Sequence, residues 1–363
     1  MNLLNWIKVI DKKMTALSVE NNLCTKCISP KSTCQNCIDV CPMNSISFSK
    51  KELVIDDSCV ECGLCSTVCP TGALSMNRPS LPSFINDLVR TCEQNEKVYL
   101  HCERVSLSKS TATAVSVSCL GLLPKEAWVK LLNKCANLSV HHLDSACQSC
   151  KITTGESVWR GELKAGEMIS GKRMTITSRI NEENKPVSYD LGRRAFLASI
   201  FSEVKSTNKL AIKEWAGEAA IPSYQEKVAV DSLSKVKKEW NAVSNGMVEK
   251  VTRESVYPYM KKRSLFLTEL QGSEGLQSQS DIRLPKISSD CSFCNACTIL
   301  CPTEAIQMKQ VDGKQVITLQ PQKCVDCSLC EEICYPNSIE LQNHPNRTLL
   351  QEEYVIAENE KKV

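Results

Sequence analysis

The chain has 363 residues, with 44 Lys and Arg against 41 Asp and Glu for a formal net charge of +3, and 42% of it is hydrophobic. That length and composition suggest two or three domains with ordinary cores. Its 23 cysteines do not fit a disulfide scaffold, because such scaffolds are short secreted chains and no secretory signal is visible. Residues 1–19 read as an N-terminal helix or extension. Their apolar run, in MNLLNWIKVIDKKM, is too short for a secretory signal or a membrane span, so a cytoplasmic, reducing setting is expected.

Residues 20–79 carry the first two of four cysteine ladders. The regular one, CVECGLCSTVCP, places Cys59, Cys62, Cys65 and Cys69 in the spacing C-x2-C-x2-C-x3-C-P. Three thiolates separated by two residues on a tight loop can converge on one cubane of iron and sulfur, while main-chain N–H groups aim at its sulfurs. The fourth, three residues further on, points towards a neighbouring cluster, so ladders come in pairs. The partner here, CTKCISPKSTCQNCIDVCP, offers Cys24, Cys27, Cys34, Cys37 and Cys41. Counting back from Cys41, Cys37 and Cys34 are in place, but the next expected position is Lys31. A loop insertion must therefore return either Cys27 or Cys24, and spacing leaves both open. SISFS and ELVID alternate like two strands joined by a Lys50–Lys51 turn, and ALSM follows Cys69. These ladders resemble those of bacterial-type ferredoxins, which implies two 4Fe-4S clusters in this module. The region is also similar to multi-cluster ferredoxin-like proteins whose first cysteine stands well upstream of the next, which implies Cys24. Zinc also takes four thiolates, but normally as two CxxC knuckles across a longer loop, and the x3-C-P endings do not match that pattern.

Residues 80–186 read as a small α/β domain. A helix is expected around Ile85, Leu88, Val89 and Cys92. Strands follow at 97–102 and 113–119, then a helix from Pro124 with Trp128, Leu131, Leu132 and Cys135 on one face, then a strand at 138–144. Strand, helix and strand form a parallel βαβ unit with a right-handed crossover. Sites in such sheets form outside the carboxyl ends of the strands. Cys102 ends the first strand, Cys119 the second, and Cys147 and Cys150 follow the third, so this quartet is a candidate fifth metal site. Scattered buried thiols, or a thiol–disulfide pair at Cys147 and Cys150, are the alternatives. Cys92 and Cys135 read as core residues. Residues 95–160 loosely resemble the delta subunit of methyl-viologen-reducing hydrogenases, a small α/β protein with a 2Fe-2S cluster and one cysteine followed by a small residue and glycine, as in Cys119-Leu120-Gly121. In this chain the last two cysteines stand closer together than in that family, so the resemblance implies a cluster of 2Fe-2S or 4Fe-4S type without fixing which. His101, His141 and His142 read as structural. GEMISGKR, from Gly166 to Arg173, is one residue short of a phosphate loop and lacks both its hydroxyl and a strand leading in.

Residues 187–270 read as a helical segment without cysteine. Phe196, Leu197, Ile200, Phe201 and Val204 would share one helix face, and Leu233, Val236, Trp240, Val243, Met247 and Val251 another. The twin-arginine look of GRRAFLASIF has no export meaning in mid-chain. Residues 271–283 read as a linker. Residues 284–345 repeat the first module: CSFCNACTILCP supplies Cys291, Cys294, Cys297 and Cys301, and CVDCSLCEEICYP supplies Cys324, Cys327, Cys330 and Cys334, with Tyr335 displacing the proline by one. AIQMKQ and KQVITL flank an Asp312–Gly313 hairpin turn, and SIELQ follows Cys334. Residues 346–363 read as a charged, solvated tail.

The expected fold class is α+β: two ferredoxin-like modules, each with two 4Fe-4S clusters, flank a small α/β domain of parallel βαβ type and a helical segment. Sixteen ligating thiolates at roughly −16 and four oxidised cubane cores at roughly +8 turn the formal charge of +3 into about −5 for the loaded protein. A mildly acidic electron carrier docks on basic patches of other proteins and does not call for nucleic acid. The chain carries ligands for four 4Fe-4S clusters, with the quartet a candidate for a fifth, but no dinucleotide fingerprint and no nucleophile–base constellation. The leading expectation is an electron-transfer protein passing low-potential electrons between donor and acceptor oxidoreductases. The alternatives are an oxidoreductase subunit with a reactive site at the quartet, and a sensor answering to oxidation of cysteines or clusters.

Overall fold

Each pair of ladders is framed by an outer strand pair and an inner hairpin, because a loop that wraps a cluster needs both ends pinned. The computed structural model describes residues 17–76, 80–105, 113–180, 260–279 and 282–359. All of them belong to one unit, built from Met1–Tyr189 and Tyr257–Val363; the second unit, Asp190–Val256, lies outside the described residues, as do the two amphipathic helices expected within it.

In the first module β1 (Leu17–Val19) pairs antiparallel with β4 (Leu74–Met76), so the module begins at residue 17 rather than 20. Between them run α1 (Thr25–Ile28), α2 (Asn36–Asp39), the hairpin β2 (Ile46–Ser49) and β3 (Glu52–Ile55), and α3 (Leu64–Val68). Lys50 and Lys51 both take positive φ, at 49° and 66°, the twist that a two-residue hairpin requires. Leu17, Leu23, Ile46, Leu53 and Leu74 form the core together with Cys24, Cys37, Cys65 and Cys69.

The middle domain opens with α4 (Leu81–Gln94), whose Ser80 cap accepts from Ser83 N–H and whose Ile85, Leu88 and Cys92 are buried. Four parallel strands follow: β5 (Val98–Cys102), β6 (Thr113–Val117), β7 (Leu138–His141) and β8 (Thr175–Thr177), in spatial order β6-β5-β7-β8. The helix α5 (Lys125–Lys134) carries the chain from β6 to β7 across β5, and α6 (Asp144–Gln148) and α7 (Gly155–Ser170) lead from β7 to β8. Chain order reverses between β5 and β7, the kind of switch point beyond which α/β sheets place their sites. Val98, Leu100, Val140 and Trp128 are 0% exposed, and Cys135 is buried at the end of α5. Gly166–Arg173 spans the end of α7, where Gly171 is the C-cap with φ 67°; a phosphate loop would need the start of a helix.

Helix α8 (Met260–Gln271) packs on α4 and α5 with Leu265, Phe266 and Leu270 buried. The stretch expected as a linker instead forms α9 (Glu274–Ser278), capped by Ser273 and anchored by Leu276, which is 2% exposed. In the second module β9 (Ile282–Ile287) pairs with β12 (Ile339–His344), the same outer pair as in the first. Between them lie α10 (Ala296–Ile299), the hairpin β10 (Ile306–Val311) and β11 (Lys314–Leu319), and α11 (Leu329–Ile333). The expected solvated tail is instead β13 (Tyr354–Asn359), which pairs antiparallel with β11 and makes the hairpin a three-stranded sheet. Its backbone groups complete the open edge of β11, and Leu349 just before it is 0% exposed.

Candidate metal centres

The three regular ladders share one backbone fingerprint. The residues flanking the second cysteine take positive φ each time: Glu61 and Gly63, Phe293 and Asn295, Asp326 and Ser328, between 51° and 80°. A further left-handed residue follows three positions after the last cysteine of all four ladders, at Asn44, Gly72, Glu304 and Asn337. Left-handed backbone costs a non-glycine residue free energy. Its recurrence at fixed offsets from the cysteines shows that the loops are shaped to turn thiols inward. The first ladder lacks the flanking pair, because its loop is lengthened between Cys27 and Cys34.

Electrostatic contacts between thiols sort the ladder cysteines into four sets. At the first site Cys34 and Cys37 face Cys69 and Cys24. Cys27 lies beside Cys24, to which its thiol is hydrogen-bonded, and Asn21 Oδ1 accepts from Cys27 Sγ at 3.8 Å and from Leu53 N–H at 3.0 Å. At the second site Cys62 faces Cys59 and Cys41, with Cys65 beside Cys62 and Cys59. At the third, Cys324, Cys327 and Cys330 face Cys301. At the fourth, Cys297 faces Cys291, Cys294 and Cys334. Each set takes three thiols from one ladder and one from its partner, the exchange that paired ladders require. Tyr335 does not disturb this, since Cys334 keeps its place and Ser338 N–H donates to its sulfur at 3.2 Å.

The donor sets fit iron–sulfur clusters. Burial, then the neighbouring thiols of its own set, push Cys37 and Cys297 each up to about 12, so the bare thiols resist ionisation and a positively charged inorganic core would relieve the repulsion between thiolates. Main-chain N–H groups two residues on donate to the sulfurs of Cys34, Cys62, Cys324 and Cys327 and favour the thiolate.

The quartet of the middle domain comes together beyond the carboxyl ends of β5, β6 and β7. Cys102 lies near Cys150, and Cys119 near Cys102 and Cys147. Burial pushes Cys119 up to about 12 and Cys147 to about 11. The N–H pattern of the ladders recurs: Arg104, Gly121 and Ile152 N–H donate to the sulfurs of Cys102, Cys119 and Cys150 at 3.3, 3.4 and 3.4 Å. A Cβ on Gly155 would stand 2.9 Å from Cys119 Sγ, so only glycine lets α7 start this close. Cys92 and Cys135, by contrast, hydrogen-bond each other in the core. The histidines stay out of the quartet: His101 Nδ1 meets Cys102 O and His141 Nδ1 meets Thr177 O at 3.0 and 3.1 Å. His142 packs on Trp159 beside Asp144 and Glu156, whose carboxylates Arg160 bridges.

The sites follow one another as neighbours. Cys119 of the quartet lies near Cys62 of the second site, and Cys65 of the second near Cys37 of the first. The modules meet where Thr33, next to Cys34, donates its N–H to Glu332 at 3.3 Å, and where Val325, next to Cys324, packs on the first module's core. Cys330 of the third site lies near Cys297 of the fourth. A cavity of about 590 Å³ borders the module junction, but Lys125, Lys262 and Arg283 face Glu126, Glu162 and Asp326 across it, so no single ligand charge is favoured. Thr33, Glu332, Lys262 and Arg263 stand in no motif and are ordinary polar residues until the chain folds. Among the described residues no helix is long and apolar enough to cross a membrane.

Comparison with known proteins matches residues 23–73 and 290–338 to the 4Fe-4S dicluster domain. A ferredoxin of Rickettsia felis is 37% identical over 68 residues, 18% of this chain and 58% of the relative. An uncharacterised ferredoxin of Methanocaldococcus jannaschii is 32% identical over 63 residues, 17% of this chain and 94% of the relative. A 7Fe ferredoxin of Hydrogenibacillus schlegelii is 39% identical over 49 residues, 13% of this chain and 60% of the relative. None of these three is a hydrogenase subunit, so the resemblance of the middle segment to the delta subunit draws no support from them. No solved structure matches the chain.

Proposed function

The chain belongs to the ferredoxin family, and from that premise we propose that it carries electrons between redox partner proteins through four 4Fe-4S clusters held in one row. Bound cubanes supply one-electron carriers; the chain's own residues hold them, order them and set their surroundings. The observation that carries the reading is a succession of neighbouring groups: Cys65 of the second site lies near Cys37 of the first, Thr33 beside Cys34 bonds Glu332 of the second module, and Cys330 of the third site lies near Cys297 of the fourth. Cys24, Cys34, Cys37 and Cys69 would hold the first cluster, with Cys27 left out. Cys41, Cys59, Cys62 and Cys65 would hold the second, Cys301, Cys324, Cys327 and Cys330 the third, and Cys291, Cys294, Cys297 and Cys334 the fourth.

Cys102, Cys119, Cys147 and Cys150 would hold a fifth iron–sulfur centre at the end of the row beside the second site. The shared N–H pattern and the approach of Cys119 to Cys62 support this. At the other end Cys294 is exposed, as are Ile299, five residues on, at 71% and Tyr335, next to Cys334 of the same site, at 89%, which suits exchange with a partner protein at the fourth site. The test is iron and acid-labile sulfide per chain on protein purified without oxygen. About eighteen to twenty irons are expected, falling to about sixteen in Cys119→Ser; Cys24→Ser should lose about four and Cys27→Ser none. Zinc in place of iron and sulfide would overturn the reading.

A further inference from the structure

Helix α8 belongs to neither module, yet two adjacent residues on it reach into both. Neighbouring helix positions point about 100° apart, so Lys262 and Arg263 diverge. Lys262 Nζ donates to the carbonyls of Ser66, Thr67 and Cys69 at 3.1, 2.9 and 2.6 Å. Cys69 is the residue that the second ladder gives to the first site. Arg263 donates through Nη2 to the carbonyl of Cys324, a residue of the third site, and its charge acts on the Cys324 thiol itself. The first and third sites are those that face each other across the module junction.

The charges around this pair leave both cations available. Among the described residues neither Lys262 nor Arg263 has a carboxylate within ion-pairing distance. Asp326, in the third-site loop, is held by Arg283 at 2.9 Å. Glu162 accepts from Lys125 N–H, and Glu332, at the junction, is hydrogen-bonded to Thr33 and half-buried. Glu126 and Asp326 stand close enough to favour the Arg263 charge, and Glu162 close enough to feel that of Lys262, without ion pairs forming. Lys262 and Arg263 spend their hydrogen bonds on main-chain carbonyls, so each places its positive charge directly on a ladder loop. Of the three carbonyls, that of Cys69 is nearest to Lys262, at 2.6 Å, while those of Ser66 and Thr67 follow Cys65 of the second site; among the described residues no Lys or Arg hydrogen bond reaches the loops of the fourth site.

We infer that Lys262 and Arg263 are positioning residues for charge, which make the first and third sites easier to reduce than the second and fourth. The inference rests on the four-cluster reading. Each one-electron reduction adds a negative charge to its site, and a fixed cation held close, shielded from solvent ions by packing, stabilises the reduced form more than the oxidised one. The inner pair would then hold electrons in the middle of the row, while the outer sites exchange them with partners.

The experiment is an EPR-monitored redox titration of the full-length, iron-loaded protein, with iron and sulfide counted in the same samples. Lys262→Gln and Arg263→Gln should each keep their iron and move one of the higher-potential transitions to more negative potential, leaving the others in place. Lys262→Arg should retain the wild-type value. Retained iron with every transition unmoved would overturn the inference, as would an equal movement of all of them. Should Arg263→Gln shed iron, Lys262→Gln decides alone, since its ammonium bonds three carbonyls and no buried acid. Iron absent from the wild-type protein would instead sink the four-cluster reading.

Discussion

The two ladder modules share a plan and differ at their margins. Both use an antiparallel outer pair, β1 with β4 and β9 with β12, around a hairpin with two positive-φ turn residues. Both trade one thiol between ladders. The first module, however, has strands of three and four residues and leans on its neighbours: Leu122 of the middle domain and Val325 of the second module sit in or against its core. The second has strands of six residues, a third strand in its hairpin sheet, and a core that takes in Phe266, Leu270 and Leu276 from α8 and α9. Thiol geometry imposes what is common; what each module touches accounts for the rest.

Removing the iron should break the comparison most severely. Cysteines form part of both cores, and small domains whose cores include metal ligands lose folding free energy with the metal. Hydrogen exchange on chelated protein should show β1–β4 unprotected, β10, β11 and β13 partly protected, and β5 and β7 as protected as before. Full protection of β1–β4 after chelation would show that the first module does not depend on its clusters for folding.

A smaller effect separates the ladders themselves. Gly63, Asn295 and Ser328 occupy the same left-handed position after the second cysteine, with φ of 80°, 68° and 62°. Only at Gly63 would a Cβ meet a close obstacle, Leu122 Cδ1 at 2.3 Å. Gly63→Ala should therefore destabilise the chain by about 1–3 kcal/mol in thermal or chemical unfolding. Asn295→Gly and Ser328→Gly should stay within about 0.5 kcal/mol of wild type. An equal Gly63→Ala loss in a Leu122→Ala background would assign the cost to backbone strain and remove the role given to Leu122.

Much of this was legible beforehand. Ladder spacing announced the four sites, Lys50–Lys51 and Asp312–Gly313 announced both hairpins, and the strand ends of the middle domain pointed to the quartet. Spacing leaves Cys24 and Cys27 both open, and what distinguishes their surroundings is Asn21, whose side chain binds both Cys27 and the β3 backbone and leaves no local mark. The linker expected at 271–283 hid a signal that was present: Ser273 caps α9 and accepts from Leu276 N–H at 3.4 Å. The tail misled because β13 owes its order to a partner strand some forty residues earlier, and acidic residues, Glu352 and Glu353 before it and Glu358 near its end, flank its short apolar run. Contacts between modules, such as Thr33 with Glu332, join residues almost three hundred positions apart and leave no local mark.

The smallest expected effect tests that third strand. Glu353, just before β13, pairs with Lys309 of β10 and accepts from Thr318 of β11. The Lys309 hydrogen bond first, then that of Thr318, hold its carboxyl below the usual glutamate range. A carboxyl depressed in the folded state contributes stability that is fully present above its unfolded pKa and is lost as pH falls through its folded one. Partly exposed pairs of this kind are worth about 0.2–1 kcal/mol, enough to loosen a strand without unfolding a module. Exchange protection of Tyr354–Asn359, corrected for intrinsic rates, should therefore decline as pH drops beneath the ordinary glutamate range. In Glu353→Gln it should start lower and show no such step, while β1–β4, which has no third strand, keeps the same profile in both proteins. A step of equal size in the variant would mean that β13 is held by its ladder to β11 alone.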